Sequence, residues 1–263
     1  DPCQFALRYV PMAMLALFLC GCGTAPEMPA PAPTALPTAA SLPTETPAPS
    51  PTMQVQTDRV SFAAADGADL SGMLFAGVGA GDIGVVLAHM GAHGANQSSW
   101  AVFARHAALQ GFGALTFNFR ADRSRLALDV QGAIEFLREQ GYRRIACVGA
   151  SMGGTACIKA AADSDLDGLV VISSLWTTGS GPTGGALVVS SQELAQLALP
   201  KLFVTAENDG SGVPATIKQM YAVASEPKAL QIFPGSMHGT DIFATAQGEE
   251  LRDLLVDFLD HLR

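Results

Sequence analysis

The amino-acid sequence predicts an α/β architecture: a doubly wound, mostly parallel β-sheet entered through an antiparallel hairpin. Three observations carry that expectation. Short Val/Ile/Leu runs recur along residues 58–263 and are separated by amphipathic helical patterns, as expected for strands buried on both faces by crossover helices. Two earlier runs, Val60-Ser61-Phe62 and Leu70–Phe75, flank Asp66-Gly67, a pair that supplies the backbone freedom a tight hairpin needs. The chain of 263 residues is 49% apolar and 15% charged, enough apolar material for a sizeable core, which excludes a disordered or fibrous chain.

The elements follow in order. Residues 1–22 hold Arg8, an apolar stretch from Val10 to Leu19, and then small residues. This is the layout of a secretory signal peptide, too short for a stable membrane span. Leu19-Cys20-Gly21-Cys22 resembles a bacterial lipobox, in which a small residue precedes the cysteine that is lipidated. Cys22, preceded by Gly21, fits better than Cys20, preceded by Leu19. Residues 23–57 are rich in Pro, Ala and Thr, as in Thr44-Glu45-Thr46-Pro47-Ala48-Pro49. They have few large side chains to bury and read as a disordered, extended linker holding residues 58–263 away from a membrane.

Within the domain, strands are expected at Ile83–His89, Ala114–Phe119, Arg144–Val148, Leu169–Ser173, Lys201–Thr205 and Leu230–Phe233. Helices are expected at Ser98–Gln110, Leu126–Gln140, Gly153–Ala162, Pro214–Ala224 and Ala246–Leu262. In such sheets ligands bind beyond the carboxyl ends of the strands. No run of about 20 apolar residues follows the N-terminus to suggest a spanning helix. The formal charge of −9 and pI near 4.9 oppose a nucleic-acid surface, which needs Lys and Arg to displace counterions. Cys147 and Cys157 lie in apolar runs and read as small, unpaired core residues. No Cys/His spacing suggests a zinc site, so no metal is assigned.

Gly149-Ala150-Ser151-Met152-Gly153 matches G-x-S-x-G between a strand and a helix, where a sharp turn lifts a serine hydroxyl above the sheet. The turn also places the Met152 N–H at a helix N-terminus, suited to an oxyanion. A serine needs a base to become a nucleophile, and histidine has the right pKa. His238 lies in the loop between the last strand and last helix. His106 and His261 fall in helices and read as surface residues, while His89 and His93 follow the Ile83–His89 run near the presumed site. For the orienting carboxylate, Asp209 in Glu207-Asn208-Asp209-Gly210 is favoured over Glu207, because it stands farther past the strand end. The chain order Ser151, Asp209, His238 is the one this architecture requires.

These motifs make the chain similar to the α/β-hydrolase superfamily across residues 58–263, and within it to small bacterial serine esterases and dienelactone-hydrolase-like proteins. The resemblance rests on Val85–His89 with Trp100 downstream, the Ser151 elbow extended as Ser-Met-Gly-Gly, Asp209, and Gly235–Asp241. It implies a second oxyanion donor just after His89. The string His89-Met90-Gly91 departs from the usual His-Gly and leaves Met90 and Gly91 both open. Asn118–Arg123 also departs from the common Arg-Gly-His-Gly-type loop, which should alter the pocket wall and not the triad. No helical cap is expected, because Thr177–Gly185 is too Gly-rich for a lid helix and reads as a mobile rim. Trp176 stands at the presumed mouth, either against substrate or covering the core.

The resemblance implies hydrolysis of a small-molecule ester through an acyl-enzyme, with no cofactor. Peptide or lactone hydrolysis on the same triad, or a non-catalytic binding lipoprotein, are the alternatives. The signal and Cys22 imply an exported cell-envelope protein whose membrane partner is reached through a lipid anchor.

Overall fold

A computed structural model describes residues 54–263 apart from 80, 92, 93 and 211. The expected signal peptide, Cys20, Cys22, nearly all of the expected linker, and His93 lie outside the described residues. Strands β1 (Thr57–Ala63) and β2 (Asp69–Phe75) form the hairpin. Its turn closes with the Gly67 N–H donating to the Ala64 carbonyl at 2.8 Å. Then come β3 (Ile83–Ala88), α1 (Ala101–Leu109), β4 (Gly113–Phe117), α2 (Leu126–Glu139), β5 (Arg144–Ala150), α3 (Met152–Ala161) and β6 (Gly168–Ile172). The chain ends with α4 (Ser191–Gln196), β7 (Lys201–Ala206), α5 (Val213–Val223), β8 (Lys228–Phe233) and α6 (Gly248–Asp260).

The eight strands make one sheet in the order β1-β2-β4-β3-β5-β6-β7-β8. The β1–β2 and β2–β4 pairs are antiparallel, and every other pair is parallel. Alternation along the central strands divides the core into two. Val86, Cys147, Val171 and Phe203 face α2, α3, α4 and α5. Val85, Val148, Val170 and Val204 face α1 and α6. All eight of these side chains are fully buried, and burying a Val or Phe contributes about 1.5–3 kcal/mol before entropy is counted. This two-sided burial explains why the central strands read as unbroken apolar runs.

Two features differ from the sequence expectations. Helix α4 has no counterpart among the expected helices, although Ser190-Ser191-Gln192-Glu193 carries a capping-box pattern. The Ser190 Oγ accepts from the Glu193 N–H at 3.2 Å, and Glu193 Oε2 accepts from the Ser190 N–H at 2.7 Å. At six residues it forms no separate cap. The second difference corrects the cysteine reading: Cys147 of β5 and Cys157 of α3 form a disulfide. Both are fully buried, as expected. The strand-to-helix reversal, however, folds the second turn of α3 back onto β5 and brings the two Cα atoms to 6.0 Å, within bridging range. Among the described residues, no helix is long and apolar enough to cross a membrane.

Candidate active site

β5 ends at Ala150 and α3 begins at Met152, leaving Ser151 alone at the reversal. Its φ is +51°, and Ser173 just after β6, at φ +54°, is the other non-glycine residue with positive φ among the described residues. Such backbone strain persists only where surrounding structure enforces it. The Ser151 N–H is held by the Ile172 carbonyl of the neighbouring strand at 2.7 Å. The glycines of the motif answer a space requirement. A Cβ on Gly153 would lie 2.3 Å from the Ala88 carbonyl oxygen, and one on Gly149 would lie 2.5 Å from the Gly153 backbone.

The loop after β7 turns back over the strand end and buries Asp209, whose side chain is fully shielded. Its Oδ1 accepts the Gly210 N–H at 2.7 Å and the His238 Nδ1–H at 2.8 Å. Glu207 stays exposed and meets only Asn208, so the structure brings Asp209, not Glu207, to the histidine. The hydrogen bond from Asp209 raises the His238 pKa above the ordinary 6.5, and the nearby Asp241 charge adds to this against the opposing effect of burial. With Nδ1 donating, Nε2 is the free lone pair, the state a base requires.

The residues that adjoin His238 and Ser151 meet each other. A Cβ on Gly239 would stand 3.4 Å from the Ala150 Cβ and 3.1 Å from the Met90 Sδ. The next residue, Thr240, directs its hydroxyl to that same sulfur at 3.6 Å. The loop after β8 is therefore folded onto the base of the elbow.

His89 plays a different part from His238. It is buried, its Nδ1 donates to the Met90 carbonyl at 2.7 Å, and its Nε2 accepts the Phe119 N–H at 3.2 Å. Burial lowers its pKa, and both ring nitrogens are engaged, so it serves as a neutral strut for the turn after β3. The His89 carbonyl lies against Gly153, at 2.8 Å from where a Cβ would be. Because carbonyl and N–H are opposed across a trans peptide, the Met90 N–H points away from Gly153. The same geometry turns the Gly91 N–H away from the His89 ring. Gly91 itself packs on Met152, a Cβ there lying 2.9 Å from the Met152 Sδ.

Trp176 is half-buried against the core, and its indole N–H reaches the Gln219 Oε1 of α5 at 3.5 Å, the covering arrangement. The segment following it differs from a free rim. The Thr178 N–H donates to Leu187, Val189 to Trp176, and Gly181 to Gly185, at 2.9–3.1 Å, so the glycines mark close approach within a hydrogen-bonded turn. Sequence reading missed Arg120 and Arg123. Arg120 binds Asp66 through both Nη atoms at 2.8 Å each and the buried Asp129 through Nε at 2.6 Å. That guanidinium holds the Asp66 carboxyl at about 2, well below the usual carboxylate range. The arginines sit in the Asn118–Arg123 segment, but the partners of Arg120 lie 9 and 54 residues away and those of Arg123 lie 32, 55 and 57 away, beyond the reach of local pattern. Among the described residues, no group of three or more His, Cys, Asp or Glu side chains is arranged to hold a metal ion.

No protein-family model matches the chain, and a comparison with curated proteins finds no match. Solved structures do resemble it. A dienelactone hydrolase from Anabaena variabilis superposes with a TM-score of 0.65 at 20% identity, covering 80% of this chain and 99% of its own. The esterase domain of a Rhodothermus marinus protein gives 0.61 at 17% identity, covering 77% and 99%. The Pyrococcus furiosus esterase Pf2001 gives 0.62 at 15% identity, covering 79% and 93%. The likeness to these structures, at 15–20% identity, is one of fold. The chain has the α/β-hydrolase fold, without a separate cap domain.

Proposed function

We propose that the chain is a serine hydrolase that cleaves small carboxylic esters through an acyl-enzyme. One observation carries the reading: a fully buried Asp209 carboxylate bonded at 2.8 Å to His238 Nδ1, in a loop folded onto the residue preceding a strained Ser151. His238 Nε2 takes the Ser151 proton as Oγ attacks the ester carbonyl, and Asp209 stabilises the imidazolium. His238 then protonates the leaving alcohol oxygen, and the ester C–O bond breaks. Water repeats the sequence on the acyl-enzyme and releases the acid. The Met152 N–H at the start of α3 and the Gly91 N–H hold the oxyanion, Gly91 being preferred to Met90 because of the peptide orientations above.

The likeness to esterases and to a dienelactone hydrolase supports a hydrolase. Leu175, Val188 and Met237, exposed at 37%, 58% and 48%, belong to loops past the carboxyl ends of β6 and β8 and suit apolar acyl or alkyl groups. A fluorophosphonate probe should label the protein and spare Ser151→Ala. On p-nitrophenyl esters from acetate to palmitate, Ser151→Ala should lose several orders of magnitude in kcat, with acetate to butyrate preferred. Near-normal hydrolysis by a folded Ser151→Ala protein would overturn the reading. A dienelactone or peptide turned over faster than every ester would reassign the substrate class.

We also propose that the protein is an exported lipoprotein anchored through Cys22. The charged-then-apolar leader, Gly21-Cys22 and the Pro-rich linker support this. Expressed in a bacterium with a complete leader, the protein should fractionate with membranes and become soluble on Cys22→Ser. An unmodified Cys22 in the mature protein by mass spectrometry would remove the anchor and leave the enzyme reading intact.

A further inference from the structure

Arg123 lies six residues past β4 and reaches two loops distant in the chain. Its Nη1 donates to the carbonyls of Thr178 at 2.8 Å and Ser180 at 3.3 Å, and its Nη2 to the carbonyl of Gly91 at 3.5 Å. The glycines of the rim are fitted to this arm and to its neighbour Asp122. A Cβ on Gly181 would stand 2.8 Å from Arg123 Cγ, and one on Gly185 would stand 2.8 Å from Asp122 Oδ1. On the other side, a Cβ on Gly91 would lie 3.3 Å from Arg123 Nη2 and 2.9 Å from Met152 Sδ. One guanidinium therefore touches both the rim and the turn that faces the elbow.

The segment carrying Arg123 is braced from behind. Arg120 ties it to Asp66 of the first hairpin and Asp129 of α2, and the Phe119 N–H ties it to His89. Asn118 Oδ1 accepts the Gln97 N–H at 2.9 Å. A planar fork with five donors can span three carbonyls from such a base, whereas the point charge of a lysine cannot match that geometry.

We propose that Arg123 is a positioning and specificity-determining residue: it fastens the rim, residues 177–185, to the oxyanion turn at Gly91 and so sets the width of the acyl site. The proposal rests on the serine-hydrolase reading of Ser151. A substrate group that pushes the rim outward pulls on Gly91 through Arg123, which links acyl length to kcat and not to binding alone. Small displacements of a positioned group cost rate steeply.

The test compares wild type, Arg123→Ala and Arg123→Lys. Hydrogen exchange reads the rim amides of Thr178, Gly181 and Gly184, and kcat and KM are measured on p-nitrophenyl acetate, butyrate and octanoate. Fluorophosphonate labelling counts competent Ser151 in each variant. Expected for Arg123→Ala are intact labelling, faster exchange at the rim, and a kcat on acetate and butyrate lower by about 10-fold or more. Octanoate should lose less, so selectivity moves toward longer chains. Millimolar guanidinium should recover part of the lost kcat in Arg123→Ala and none in Arg123→Lys. Unchanged exchange, or unchanged kcat and chain-length selectivity in folded Arg123→Ala, would overturn the proposal. Wild type that fails to label at Ser151 would instead sink the hydrolase reading, and rim exchange would still decide whether Arg123 is the fastener. Should Arg123→Ala not fold, Arg123→Lys with the same readings decides it.

Discussion

The elbow at β5–α3 and the rim between β6 and α4 are both rich in glycine, for opposite reasons. In the elbow, Gly149 and Gly153 meet backbone: each other's turn and the end of β3. These contacts are made within a few residues or with the adjacent strand, and the Cys147–Cys157 bridge spans the same reversal. In the rim, Gly181 meets the Arg123 side chain and the Ala121 carbonyl, and Gly185 the Asp122 and Ser124 side chains, all more than 50 residues earlier, while Gly184 meets nothing within 4 Å. A glycine run is therefore not one signal. Where it meets its own backbone it marks a fixed local turn, and where it wraps a distant side chain it marks a surface shaped by that partner.

The difference agrees with the proposed roles: chemistry at the elbow and the loops folded onto it, and shaping at the rim. The largest effect should follow from disturbing the elbow's histidine. Asp209→Asn should lower kcat by about 10⁴, because the amide selects the wrong imidazole tautomer, whereas exposed Glu207→Gln should leave kcat near wild type. The pH profile sharpens this. In the proposed mechanism His238 must be neutral, and Asp209 raises its pKa above 6.5, so kcat/KM should climb with pH through a value above 6.5. In Asp209→Asn the residual activity should climb through a lower value. An unmoved acid limb, or greater damage from Glu207→Gln, would detach Asp209 from the elbow.

A smaller but still large effect should follow from filling the elbow's glycine. The Cβ of Gly153→Ala meets backbone oxygen on β3 at 2.3 Å, which no side-chain rotation relieves. Overpacking of this kind costs about 1–3 kcal/mol or more, and thermal melts should show a clear drop together with loss of activity. The smallest effect should come from the rim. Gly184 has φ +81° and open space, so Gly184→Ala carries only the backbone penalty of a left-handed conformation, about 1–2 kcal/mol, with kcat preserved. If Gly184→Ala proved as damaging as Gly153→Ala, the contrast between the two glycine-rich segments would fail.

The sequence by itself determined the mostly parallel sheet with its antiparallel start, the helices other than α4, and the elbow, because each rests on a short-range rule. Burial on both faces writes apolar runs, crossover helices write a 3.6-residue period, and a strand-to-helix reversal writes glycines around a serine. It also singled out Asp209 after β7 and His238 after β8, two residues that the structure joins by a 2.8 Å hydrogen bond. Tertiary structure alone decided the rest. Nothing local to Cys147 and Cys157 says that α3 folds back to within 6.0 Å of β5. Nothing near His89 says that Phe119 and Met90 occupy both its nitrogens and retire it as a base. The partners of Arg123 lie 32, 55 and 57 residues away, and the residues that meet the rim glycines are equally remote. Hydrogen bonds and steric contact act over a few ångströms whatever the separation along the chain, so only the folded arrangement selects those partners.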